Sequence, residues 1–138
     1  MMRGWGMKQG HIIKNWKRRY FIVTSDREVT LLRYFKYEQS YAPYGDYLCG
    51  ELNLQYYRLI PSERQISFDS SEDQRTCHCL ELVGNSSLDK DLLICIEDSA
   101  EYQRWIGALE AHIDYRKEIE EIAQEANAAL SMWNCVLL

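Results

Sequence analysis

The chain of 138 residues lacks any apolar run near the roughly 20 residues that a membrane-spanning helix requires. Its opening, MMRGWGMKQG, has no apolar stretch and turns basic almost at once, so no secretory signal is expected. Position 2 is Met rather than Gly, so N-myristoylation is not indicated. The five cysteines (Cys49, Cys77, Cys79, Cys95, Cys135) form an odd set without disulfide-framework spacing, and reduced thiols in a cytosolic compartment are expected. Gly-rich phosphate loops, Ser/His/Asp or Cys/His sets and cleft-placed carboxylate pairs are all missing, so neither an enzyme nor a cofactor is expected. The trio Cys77-His78-Cys79 has no second ligand pair to complete a tetrahedral zinc site; ordinary strand residues are expected, and no metal.

The charge, by contrast, is strongly divided. The net value of −5 hides nine Lys/Arg against two acidic residues in positions 1–36, a local +7, and seven basic against nineteen acidic residues thereafter, a local −12. Such polarity implies one face for anions and a back that repels them, and it argues against a wrapped nucleic acid. A hydrophobic share of 46% supports one folded domain with a short extension.

Residues 4–8 read as a short strand, followed by a turn near Gly10. NWKRRYFIVT (15–24) alternates with period 2, which puts Lys17, Arg19, Phe21 and Val23 on one face and Trp16, Arg18, Tyr20 and Ile22 on the other. VTLLRYFKY (29–37) is the next strand, and EQSYAPYGDY (38–47), with tyrosines 41, 44 and 47, is a loop. Further strands are expected at 48–53, 56–60, 65–68, 77–83 and 91–96, which together suggest an antiparallel barrel or sandwich. From Asp98 the period changes. Tyr102, Trp105, Ile106, Leu109 and Ile113 form a helical stripe, with Asp98 and Glu101 spaced as a capping box and Ser99 as a rival cap. Helical character continues with weaker apolar spacing through Ile119, Ile122, Ala126 and Leu130.

The Gly4-Trp5 opening, the basic strand WKRRYFIV, a following strand with an aromatic pair, and a terminal helix SAEYQRWIGAL with Trp105 at its centre resemble a pleckstrin homology (PH) domain over roughly residues 3–115. The resemblance implies a mainly β fold: a PH-like barrel of two orthogonal antiparallel sheets, seven strands in all, capped by a C-terminal α-helix. The domain is expected over 1–115, a helical extension over 116–131 and a tail over 132–138. Members that bind phosphoinositides carry a Lys late in the first strand and a basic-x-Arg pattern in the second. Here these are Lys8, Lys17 and Arg19, with Tyr34 as the third-strand tyrosine and Lys14 as a loop candidate. Convergent cations suit a ring carrying several phosphates, and Arg19 adds bidentate geometry. Where members selective for 3-phosphorylated lipids often carry an Arg, this chain has Cys49 before Gly50-Glu51, which puts that selectivity in doubt.

Two further features point toward a membrane. Ile12 and Ile13 adjoin the basic cluster and read as side chains entering the membrane interface. The final Cys135-Val136-Leu137-Leu138 is a prenylation box at Cys135, in which the last Leu favours geranylgeranyl. The expected function is peripheral recruitment to the cytosolic face of a membrane through phosphoinositide or other anionic lipid. The alternative is an adaptor that binds a protein through the barrel or the C-terminal helix.

Overall fold

A computed structural model describes the chain except residues 12, 13, 27, 69–73 and 138; for 115, 116 and 135–137 it describes the backbone alone. Strands β1 (Met2–Gln9), β2 (Trp16–Ser25), β3 (Thr30–Glu38) and β4 (Gly45–Asn53) form consecutive antiparallel pairs. A single 3-10 turn, Leu54–Tyr56, leads into β5 (Tyr57–Ile66), β6 (Arg75–Gly84) and β7 (Leu92–Ile96), and helix α1 (Ser99–Leu137) completes the chain. The strand order β4-β3-β2-β1-β7-β6-β5 is one continuous ladder of seven strands. Its two halves, β1–β4 and β5–β7, are joined where Met7 and Lys8 pair with Cys95 and Ile94.

The halves close on a shared core. Period-2 alternation sends Phe21, Val23, Leu32 and Leu52 inward from one half, and Leu80, Leu82, Leu92 and Ile94 inward from the other. Tyr102, Trp105 and Leu109 of α1 pack into the same cluster and cap the barrel. Burying each large side chain contributes about 1.5–3 kcal/mol, so this single cluster outweighs any surface contact. The buried phenols are satisfied: Tyr102 donates to the Cys79 carbonyl at 3.1 Å and Tyr57 to the Lys90 carbonyl at 3.0 Å.

Several expectations change. In place of two strands at 56–60 and 65–68 there is one, Tyr57–Ile66, paired with β6 along its whole length, Pro61 facing Leu80. This is allowed because β5 is an edge: proline's missing N–H falls where no neighbour needs it. The helix begins with Asp98 as its cap, whose Oδ1 accepts from the Ala100 N–H at 3.0 Å. Glu101 does not complete a capping box but accepts from Arg104 at 2.8 Å. The cysteines were expected to be reduced, yet Cys79 and Cys95 form a disulfide. They are register partners on β6 and β7 with Cα atoms 4.2 Å apart, a juxtaposition that comes from the pairing and not from their spacing along the chain. Cys77 is a buried free thiol and Cys49 an exposed one.

Helix α1 runs for 39 residues, about 58 Å at ~1.5 Å per residue. Among its described side chains Ile113 is the last buried one, and those after it are exposed. No helix among the described residues is long and apolar enough to cross a membrane.

Candidate functional site

The same alternation that builds the core also builds the site. Phe21 and Val23 point into the barrel, and Arg19 and Lys17 lie on that face two and four residues toward the strand's start, beyond the apolar cluster. Lys8 stands directly opposite Lys17 in the β1–β2 register, and Gly6 opposite Arg19. Three cations are therefore held together by backbone pairing. No ion pair among the described residues involves Lys8, Lys14, Lys17 or Arg19.

Burial and mutual repulsion act together on Lys8. The Lys8 ammonium is half-buried, and its pKa is lowered first by that burial, then by Arg19 and Lys17, with Cys49 opposing. Arg19 donates one N–H to the Arg18 carbonyl at 2.9 Å, which orients its guanidinium. Lys17 and Lys14 are exposed.

Tyr34 is placed by β3, opposite Phe21, with the two rings 5.6 Å apart. Lys8 Nζ lies 5.1 Å from the centre of the Tyr34 ring, within cation–π reach. The register slips between Tyr34 and Phe35, which face Gly50 and Leu48, so Cys49 sits in a bulge beside the tyrosine. A Cβ at Gly50 would run into the Tyr34 ring; only glycine lets the ring lie there. Burial, then Cys49, pushes the Tyr34 phenol upward against the opposing Arg19.

Other members of the basic N-terminal group are used elsewhere. Arg3 lies over Tyr44 at 3.9 Å and Arg18 over Trp5 at 4.0 Å, beside the cluster of Tyr20, Ile22 and Phe35 on the sheet's outer side. Arg33 pairs with Glu51 at 3.5 Å, and Lys36 lies near the rings of Tyr37 and Tyr47. The local +7 is thus shared between two faces. Sequence reasoning also missed Lys90 in the β6–β7 loop, whose charge reaches His11 together with those of Lys8 and Lys14. Nothing near Lys90 in the chain signals this, since the approach is made by barrel closure.

Ile12, Ile13 and the side chain of Cys135 lie outside the described residues. Cys77 and Cys79 face one cluster with Ile66 and Cys95, while His78 stacks on Tyr102 with centroids 5.2 Å apart. No group of three or more metal-ligating side chains occurs among the described residues.

Known proteins bear on this arrangement. The family model described as PH domain matches residues 1–114. A probable serine/threonine-protein kinase of Dictyostelium discoideum is 28% identical over 118 residues, covering 86% of this chain and 5% of the kinase. Mouse cytohesin-4 is 32% identical over 95 residues, 69% of this chain and 20% of that protein. The chain thus spans a small part of these curated relatives. Among solved structures, the C-terminal PH domain of pleckstrin in complex with an inositol pentakisphosphate superposes with a TM-score of 0.56 at 23% identity, covering 82% of this chain and 94% of that one. A second complex of the same domain, with another isomer, gives 0.57 at 20% identity, with coverage of 81% and 96%.

Proposed function

The chain belongs to the PH domain family, and from that premise we propose that it is a non-catalytic module recruited to the cytosolic face of a membrane by phosphoinositide or other anionic head groups. Lys8, Lys17 and Arg19 bind phosphate, Lys14 adds charge from the loop, and Tyr34 packs beside the Lys8 stem. The observation that carries this reading is the register pairing of Lys8 with Lys17, with Arg19 on the same face and no carboxylate partner for any of them among the described residues. Like charges placed so close repel; an anion between them reverses the sign of every interaction. The pleckstrin PH domain, similar in fold, has been captured with inositol pentakisphosphates, which is the same chemistry.

In this reading residues 1–115 are the recognition domain, 116–131 a helical extension and 132–138 a tail. Ile12 and Ile13 enter the interface beside the cations.

Sedimentation with phosphatidylcholine vesicles containing a phosphoinositide tests the site. Lys17→Ala with Arg19→Ala is expected to weaken binding at least tenfold, because hydrogen bonds to charged groups contribute about 1.5–3 kcal/mol each. Unchanged binding would refute the assignment. A second reading, an adaptor acting through α1, is favoured by one observation: Ile119, Ile122, Leu130, Met132 and Trp133 are exposed on the helix beyond the barrel.

A further inference from the structure

Beyond Ile113 helix α1 continues to Leu137, about 36 Å of helix on which every described side chain is exposed. A helix of that length gains little from its own hydrogen bonds in water and is stabilised chiefly by burying an apolar face. One such face is present, and it is narrow. Ile119, Ile122, Ala126, Leu130 and Trp133 follow one another at intervals of 3, 4, 4 and 3 residues. At about 100° per residue they fall within roughly 80° of one another. The four large side chains are 39%, 59%, 61% and 62% exposed. Two such stripes closed on each other would remove on the order of 1,000 Å² from water, the least that a specific interface needs. The flanking charge is acidic: Glu118, Glu120, Glu121 and Glu125 against Arg116 and Lys117, with no charged residue after Glu125. A helix lying on an anionic bilayer carries an apolar face edged with Lys and Arg, so this stripe fits a protein and not a lipid surface.

Spacing and charge together select the partner. The series 3-4-4-3 reads the same in both directions. A two-fold axis beside Ala126 therefore sets Ile119 of one copy level with Trp133 of a second, Ile122 with Leu130, and Ala126 with Ala126. The small side chain then lies at the centre, where it lets the two helices approach closely. In a parallel pair every glutamate would meet its own counterpart. In the antiparallel pair the acidic stretch 118–125 lies along the uncharged stretch 126–134, and only Glu125, next to the axis, comes near its counterpart. We propose that this face joins two copies of the chain in an antiparallel seam centred on Ala126, with a barrel at each end. The proposal rests on the reading of α1 as an interaction surface, to which it gives a definite partner, and it is independent of the head-group site. Two copies so joined carry two cationic barrel mouths in one assembly, so a second head-group contact follows the first at high effective concentration.

The test uses the full chain. Light scattering across a concentration series up to a few hundred micromolar is expected to show a mass rising from 16.4 kDa toward twice that value. Leu130→Glu and Ala126→Arg each put a charge into the seam at a side chain that is exposed in the single chain. Each should weaken association at least tenfold and leave the melting temperature of the barrel unchanged. Direction is read by cross-linking in a Cys49→Ser, Cys135→Ser background. Mild oxidation of a mixture of Ile119→Cys and Trp133→Cys chains should give the mixed disulfide, and either variant alone much less of its own. A mass that stays at one chain, or climbs past two, overturns the pair. If Leu130→Glu also weakens sedimentation of that single chain with neutral phosphatidylcholine vesicles, the occupant of the face is lipid. An assembly indifferent to both charge variants overturns the seam, and efficient cross-linking of each cysteine variant to itself overturns the antiparallel direction. Each of these outcomes leaves the head-group reading standing, because Lys17→Ala with Arg19→Ala decides that one separately.

Discussion

Lys8 carries opposing demands. It pairs with Lys17 across the hairpin, its ammonium lies near the Tyr34 ring, and that ammonium is destabilised by burial and by two neighbouring cations. A lysine with a depressed folded pKa costs stability at neutral pH, where it is charged in both states; the cost disappears as pH rises through the folded pKa toward 10.5. Replacing it by an uncharged side chain of similar length should therefore help the fold and harm the function. For Lys8→Met we expect a melting temperature at pH 7 that is unchanged or raised by about 1–3 °C, a modest stabilisation for a domain of this size. Vesicle binding should fall at least fivefold in the same variant. A lower melting temperature would mean that Lys8 is held by a favourable partner. Cys49 invites the opposite experiment. It lies in the bulge beside Tyr34, its thiol 3.5 Å from the Tyr47 carbonyl, and it is exposed. Cys49→Arg should add a cation to the site and raise phosphoinositide affinity about threefold to tenfold, read by vesicle titration.

At the scale of elements, helix α1 is bound to the barrel by four residues of one stripe: Tyr102, Trp105, Leu109 and Ile113, each no more than 8% exposed. Removing the Asp98 cap leaves an N–H without its acceptor, and Asp98→Ala is expected to cost about 1 kcal/mol in a denaturant melt. Removing Trp105 leaves a cavity in the shared core, for which about 3–5 kcal/mol is expected. The contrast between the two variants measures how far α1 depends on packing rather than on its own propensity. Strand β5 illustrates why local reading misplaces such elements. Pro61 and the charged Glu63 and Arg64 look like a turn in isolation, but an edge strand needs neither the proline N–H nor an apolar outer face. The helix, with a clear period-3.6 stripe, was legible at once, and so was the alternation of β2.

For the molecule as a whole, the division of charge governs behaviour more than the net value does. An anionic vesicle would repel a uniformly charged chain of −5, yet the cationic group at the barrel mouth acts locally, within a Debye length of about 10 Å at 0.1 M salt. The extension is a separate matter. The described side chains after Ile113 are exposed, and the family match ends at residue 114. A chain shortened after residue 114 is therefore expected to melt within about 3 °C of the full chain, since an isolated helical extension adds little stability of its own. A much larger loss would show that the extension supports the barrel. Light scattering on the full chain tests the adaptor reading separately: a strict monomer argues against pairing through Ile119, Ile122 and Trp133.

The alternation in WKRRYFIV and the stripe around Trp105 determined, from sequence alone, which residues share a strand face, which two cations lie together on one of them, and where the β pattern gives way to a helix. Those features are local, because side-chain direction follows from the backbone period within a single element. Tertiary structure decided the rest. Lys8 meets Lys17 only because β1 and β2 pair in one register, and the Cys79–Cys95 disulfide exists only because β6 and β7 do. Lys90 reaches His11 only after the barrel closes, and Arg3 is drawn from the basic group by Tyr44, which the β3–β4 connection brings beside it. Contacts between distant segments depend on register and closure, and neither leaves a signature in the order of residues along one strand.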